Sequence, residues 1–594
     1  MTGLILLVAQ NPDSPLANIL LANYHLDSTS GLPTNDPKFI SSYKKAMQVY
    51  TQRAFKLDSK LPLTCATFGA YFLSRKAMET VEKLSRSAIA LTDVNAIASD
   101  GWYLLARKAH FEDDLARAGE YYRKADEARG GGDKGFLPAK FGLAQVQVLN
   151  HDLDGAKFRL EKIVQQSKNI EAMMLLGALY AEEVFASQNG PLKEDKSAEI
   201  RKAIGLLETV RLAWKDPKKG VSPEPTVLLN LARLYETDAP EKSLACLRQV
   251  EELEIAQIPA VDRPPQVEDE ASFIAALRSH LPPPLLNNIG CFLHQSGKYD
   301  EAREMFQTAL GACIEVTKKD PDAQTDGPVT TISYNLARTY ESAGLLDEAK
   351  KIYEGLLKRH DDYVAAHTRL AYIALRQTPT DEGPKMISKL MQSEPSDLEV
   401  RALYGWFLSK SKRRSTNISE DSEHRHHKHT LQHFDKHDRY ALTGMGNIHL
   451  TNAREMRRET ESEKEKRRKT YERAVEFFDK ALLLDPMNAY AAQGIGIALA
   501  EDRKDYNAAV MVFNRVKETI RDASVSINLG HVHAELKNYG RAIENYEAAM
   551  AKDRGKDPQI LACLGRVWLQ KGKQEKSALA MKQSLVYSQQ VSGL

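Results

Sequence analysis

NLGHVHAELKNYGRAIENYEAAM, running from Asn528 to Met550, decides the fold. Gly530 follows the apolar Leu529; Ala542 comes 12 positions later, Tyr546 four further on and Ala549 three after that. The series recurs as Ile289-Gly290, Ala302, Phe306, Ala309, and as Leu336-Ala337, Ala349, Tyr353, Leu356. Leu105-Ala106, Ala118, Tyr122, Ala125 repeats it with Trp102 ahead. A small residue lets two helix axes close where they cross, and the aromatic fills the hole between neighbouring helix pairs. The spacing predicts helical hairpins of about 34 residues, each leaving an apolar face that the next must cover.

The pattern is similar to the tetratricopeptide (TPR) repeat. The expected fold is therefore all-α: a right-handed TPR superhelix of about 14 hairpins. Its growth by stacking accounts for 594 residues without a shift of composition that would separate globular domains. The balance of 82 basic and 80 acidic residues gives no drive toward bulk nucleic acid or membrane. Five scattered cysteines without a CxxC read as reduced core thiols. The apolar start Leu4–Ala9 lacks the basic flank of a signal peptide, and no apolar run approaches the ~18 residues of a membrane span. A soluble intracellular protein is expected.

Irregularities divide the array. An N-terminal TPR block is expected over 1–257, with a second helix delayed by Gln188–Asp195, then a proline-rich join over 258–284 (Pro259, Pro264, Pro265, Pro282–Pro284) as the bend. A central block follows over 285–405, an irregular basic and His-rich segment over 406–440, and a C-terminal block over 441–594. In that last block, the second helix after Gly446 starts 28 residues on at Ala474 instead of 12. The charged insertion reads as an extension of both helices into a solvated arm near 453–473. Neither end shows a polar capping helix, so the chain reads as a fragment.

Candidate chemistry is sparse. His424, His426, His427, His429, His433 and His437 include an i,i+4 pair, but no Cys or HExxH accompanies them and Arg425 and Lys428 oppose a cation. They read as a polar, solvated segment or an acid-sensitive contact surface, not a metal site. Gly494-Ile495-Gly496 and Gly444-Met445-Gly446 resemble phosphate-loop fragments but follow no strand, and their second glycines fall on the packing position. Lys410, Lys412, Arg413 and Arg414 read as an exposed loop or a localisation signal. A chaperone-type carboxylate clamp starting at Gly290 finds Asn287, Cys291, Asn335, Ala365 and Arg369, of which only Asn335 and Arg369 fit. No catalytic constellation and no cofactor site stands out. First helices are expected to line a partner groove, which nominates Arg338, Tyr372, Arg376, His531 and Glu535 as contact residues.

Taken together, Leu285–Gly290 (LLNNIG), Thr331–Tyr340 (TISYNLARTY), Tyr440–Leu450 (YALTGMGNIHL) and Tyr490–Ile497 (YAAQGIGI) resemble one family. It is the large TPR subunit family of the RNA polymerase II-associated factor (PAF) elongation complex, the "cln three requiring" family. The resemblance implies a non-enzymatic nuclear scaffold that supports elongation and transcription-coupled histone modification. It implies as partners the name-giving subunit, the parafibromin-like subunit and RNA polymerase II, with no membrane and no strong nucleic-acid binding. Family members carry further N-terminal repeats and an acidic C-terminal tail that this sequence lacks. A TPR co-chaperone or ubiquitin-ligase adaptor is the alternative, and a TPR-bearing glycosyltransferase is opposed by the absence of any α/β segment.

Overall fold

Helices start where an acceptor side chain or a proline meets the first turn. Asp114 accepts from the Arg117 amide at 3.1 Å, Asp397 from Val400 at 2.9 Å and Asp505 from Ala508 at 3.0 Å. Proline opens Pro62–Ser74, Pro225–Leu234 and Pro558–Glu575. The computed structural model describes residues 8, 10–29, 32, 36–188, 196–216, 221–261, 263, 270–410, 418–520, 522–552 and 557–592. Among them the helices form 14 hairpins, and there is no strand. The chain divides into two compact units, Met1–Ile332 and Ser333–Leu594.

Turns inside half of the hairpins share one construction. A single residue takes the left-handed backbone, and the next amide bonds to the carbonyl five residues back. Ala77 N reaches Phe72 O at 3.0 Å, Asp114 N reaches Ala109 O at 2.9 Å and Asn538 N reaches His533 O at 2.9 Å. Glycine supplies the left-handed residue at Gly297 and Gly344, but Lys76, Asp113, His151 and Lys537 do so elsewhere. Glycine is thus an incomplete guide to these turns in the sequence.

The expected crossing points are present. A Cβ added at Gly530 would lie 2.5 Å from the Tyr546 ring, so only hydrogen fits there. Phe478 sits between two glycines, with added Cβ positions 2.5 Å from its ring at Gly446 and 2.3 Å at Gly494. Both glycines of each GxG pair are therefore packing residues. Gly444 and Gly494 meet the aromatic of the preceding hairpin, while Gly446 and Gly496 meet that of their own.

One expectation changes. The His-rich stretch is not a solvated segment: it is the helix Ser422–His433, the second of a hairpin with Leu398–Ser409. His427 is 2% exposed and takes the place that Phe or Tyr holds in other repeats. Added Cβ positions at Gly405 and Gly444 both fall 2.6 Å from its ring. An imidazole has an aromatic's flat shape, and a reading by polarity misses it.

The charged arm is helical as expected, but lopsided and anchored at its root. Both helices are extended, but unequally: Arg439–Glu455 runs nine residues past Gly446, against five past Gly530 in Ala523–Glu535, and Glu461–Leu484 takes up most of the insertion. A reciprocal Thr460–Glu463 capping box starts it. Its root is tied down: Arg467 Nε donates to Ala453 O at 2.9 Å, and Glu501 accepts from Tyr471 Oη at 2.9 Å and pairs with Arg454 at 2.7 Å.

In the proline-rich stretch, Glu270–Arg278 forms an extra helix and Pro283 opens Pro283–Gln295. Pro264, Pro265, Lys412, Arg413, Arg414, residues 189–195 and most of Leu4–Ala9 lie outside the described residues.

Candidate partner-binding faces

Within residues 1–332, four consecutive first helices (Asn95–Phe111, Leu137–Leu149, Ile170–Gln188 and Pro225–Leu234) line a cavity of 680 Å³. Its walls carry Tyr103, Phe141, Met174 and Leu175, with Arg107, Gln145, Glu171 and Asn230 supplying polar groups. Asn230 also lines a second cavity of 520 Å³, which extends to Asn288 and Gln295 on Pro283–Gln295. The two make one trough across five first helices. Half-buried aromatic and Met side chains beside unpaired amides suit a bound protein segment, which offers side chains to the apolar wall and backbone groups to the amides. None of these residues was singled out from the sequence. The available signal was their place on first helices, not any motif of their own.

Within residues 333–594, Arg338, Tyr372 and Arg376 share one face of the helices Asp326–Ser342 and Val364–Gln377. Its anchor is Glu341, whose side chain is 5% exposed. Glu341 accepts from Arg338 at 3.1 Å, from Arg369 Nε at 3.1 Å and from Tyr353 Oη at 3.2 Å. Burial, and after it the Glu341 charge, pushes the Tyr353 hydroxyl well above its ordinary range, so it stays a donor. The Arg369 guanidinium lies 4.4 Å over the Tyr372 ring, and Tyr372 in turn meets Trp406 at 5.4 Å. Arg369 is thereby committed within the chain, which removes it from a carboxylate clamp. Glu341→Gln keeps the shape but halves the acceptor capacity and removes the charge shared by two arginines. A loss of about 1–2 kcal/mol is expected in urea unfolding, against near-neutrality for the exposed Glu382→Gln.

His531 and Glu535 stand apart from that face, on Ala523–Glu535. His531 Nδ1 is 2.7 Å from Tyr546 Oη, with the rings edge-on at 5.5 Å, and burial lowers its pKa. Its inner edge is therefore engaged in the hairpin; Glu535 is exposed one turn on. Among the described residues, no three His, Cys, Asp or Glu side chains are grouped to hold a metal ion, and no helix is long and apolar enough to cross a membrane.

Stacked hairpins with small-on-aromatic crossings and first-helix troughs define a tetratricopeptide-repeat protein, and the tetratricopeptide-repeat family models match residues 293–373 and 523–551. Beyond the repeats, the chain is homologous over nearly its whole length to the RNA polymerase-associated CTR9 proteins. It is 27% identical over 582 residues to "RNA polymerase-associated protein CTR9" of Saccharomyces cerevisiae, covering 96% of this chain and 50% of that protein. It is 25% identical over 602 residues to "Protein CTR9 homolog" of Arabidopsis thaliana, covering 94% and 49%. "Tetratricopeptide repeat protein 1" of Schizosaccharomyces pombe is 32% identical over 580 residues, covering 97% and 51%. The chain spans about half the length of the curated relatives it matches.

Proposed function

We propose that this chain is a non-catalytic scaffold within a nuclear RNA polymerase II-associated factor complex, holding other subunits along its first-helix faces. The observation that carries the reading is the trough of five first helices in residues 95–295, within a chain similar along 96% of its length to a protein named RNA polymerase-associated. The partners we assign are the name-giving subunit, the parafibromin-like subunit and, through them or directly, RNA polymerase II. The role is support of elongation and of the histone modification coupled to it. Arg338, Tyr372, Arg376, His531 and Glu535 belong to further contact surface in the second unit. The proposed organisation keeps TPR blocks at 1–257, 285–405 and 441–594, with 258–284 between the first two, while 406–440, which contains the hairpin helix Ser422–His433, carries the repeat from the second to the third.

Phe141 and Met174 are half-buried on the trough wall, so Phe141→Glu with Met174→Glu places two charges where an apolar side chain would dock. Reconstitution with the cognate name-giving and parafibromin-like subunits is expected to show at least a ~30-fold loss of affinity for one of them. Unchanged affinity for both, with the helix content of the variant intact, would contradict the trough as a docking site.

A further inference from the structure

The repeat register aligns three residues that the sequence scatters. Arg338, Tyr372 and Trp406 lie 34 residues apart in succession, at one position of three consecutive first helices. One turn further along, Arg376 and Lys410 occupy the next matching position. The helices pack so that these stripes are continuous: Arg369 bonds to Glu341 across the first pair, and the Tyr372 and Trp406 rings meet across the second. Arg376 lies 5.9 Å over the Tyr372 ring and Lys410 5.9 Å over Trp406, and both cations are exposed. The result is a two-ring aromatic platform with a cation beside each ring.

The charge on this face is not cancelled from within. Glu341 is buried and shared between Arg338 and Arg369, one carboxylate for two guanidinium groups. Arg376 and Lys410 have no carboxylate partner among the described residues. The other acids on these helices are Asp326, at the start of the first, and Glu399, two turns before Trp406 and beside Tyr334 and Tyr363. Arg338, Arg369, Arg376 and Lys410 outnumber Glu341 and Glu399 by two, so this one face holds as much net positive charge as the whole chain, which carries +2. Arg369 is held flat on Tyr372 by its carboxylate, so the ring is fixed before anything binds.

We propose that this face docks an acidic segment of a partner protein, in which Asp or Glu side chains pair with Arg376 and Lys410 while an apolar side chain between them rests on Tyr372 and Trp406. The inference rests on the scaffold reading and deepens it by stating the chemistry of the docked segment. A protein segment is favoured over a nucleic-acid strand because the cations sit at one repeat step from each other with rings between them, rather than forming a basic track.

The test uses the whole chain and a fluorescein-labelled peptide of repeating Glu-Glu-Leu, with repeating Gln-Gln-Leu and oligo-dT beside it, read by anisotropy. The Glu peptide is expected to bind at least ~10-fold tighter than the Gln peptide, and Arg376→Glu with Lys410→Glu to weaken it by ~10-fold or more. Arg376→Lys with Lys410→Arg should retain binding within ~3-fold. Equal binding of the two peptides, an unchanged affinity of the charge-reversed variant, or displacement of the Glu peptide by oligo-dT at lower concentration would each overturn the inference. Co-assembly with the subunits separates it from the scaffold reading. If Tyr372→Ala with Trp406→Ala loses a subunit while charge reversal does not, the face docks a partner that is not acidic, and only the inference fails. Glu-peptide binding abolished by charge reversal, with every variant co-assembling normally, would keep the inference and remove this face from the scaffold.

Discussion

Gly494→Leu is expected to destabilise the C-terminal repeats by about 3 kcal/mol or more, a loss visible as an early transition in urea or thermal unfolding. Even a methyl group at 494 would stand 2.3 Å from Phe478 Cζ, and Phe478 cannot retreat, because Gly446 confines its other side at 2.5 Å. Leucine must therefore separate two hairpins or expel the ring from a cluster that includes Tyr471, Ala474, Ala481 and Ala491. Combining Gly494→Leu with Phe478→Leu should recover part of the loss, a coupling that independent sites would not show. Gly355 provides the contrast. It lies within Leu346–Leu357 with open space around its Cβ direction, so Gly355→Ala should be neutral or stabilise by up to ~1 kcal/mol. Equal losses at 494 and 355 would refute the assignment of Phe478 as the packing knob.

Acidification is expected to open the hairpins between residues 398 and 455 before the rest of the chain. Burial, reinforced by His426, Arg401 and His424, lowers the His427 pKa to about 3, and burial with His424 and Arg473 lowers that of His449 to about 4. Both fall below the unfolded value of ~6.5, so folding favours the neutral rings. Their contribution is complete above pH ~6.5 and is lost as the pH falls toward the folded values. At pH 5 each group is ~1.5 units below its unfolded pKa, and the pair removes about 3–4 kcal/mol. His424 and His426 shift in the same direction.

Three acids face this cluster: Glu423, Asp438 and, at the start of the helix beside His424, Asp421. Glu423 is 3.9 Å from His427 Nε2, and Asp438, whose pKa burial raises, opposes the trend as it takes up its proton. Hydrogen exchange followed from pH 7.5 to 5 should show protection lost first in Leu398–Ser409, Ser422–His433 and Arg439–Glu455. His427→Phe inserts the ring that Phe478 already places between two glycines, and should shift the onset to lower pH. A uniform loss across all repeats, unaffected by His427→Phe, would contradict a local origin.

Some of this was legible residue by residue. Gly530 with Tyr546 and Gly290 with Phe306 announced the hairpins, because a close crossing demands a small residue opposite a large one and the spacing follows from helix geometry. His427 was misjudged because composition records its polarity and not its position. Its register behind Gly405 marks it as a core ring, a fact visible only once the intervening loop length is known. The left-handed turns at Asp113 and Lys537 were hidden for a similar reason: the backbone bonds that hold them involve no side chain.

The sequence by itself determined the hairpin, its repeat and its kinship, since all three reside in residue types at fixed separations along the chain. Only the tertiary structure decided which first-helix side chains face one another: that Glu341 ties Arg338 to Arg369, that Tyr372 meets Trp406, and that Phe141 and Met174 share a trough with Asn230. Those neighbours come from different repeats, and their meeting depends on how successive hairpins rotate and settle on one another. That angle is the sum of many small packing contacts, and no local spacing encodes it.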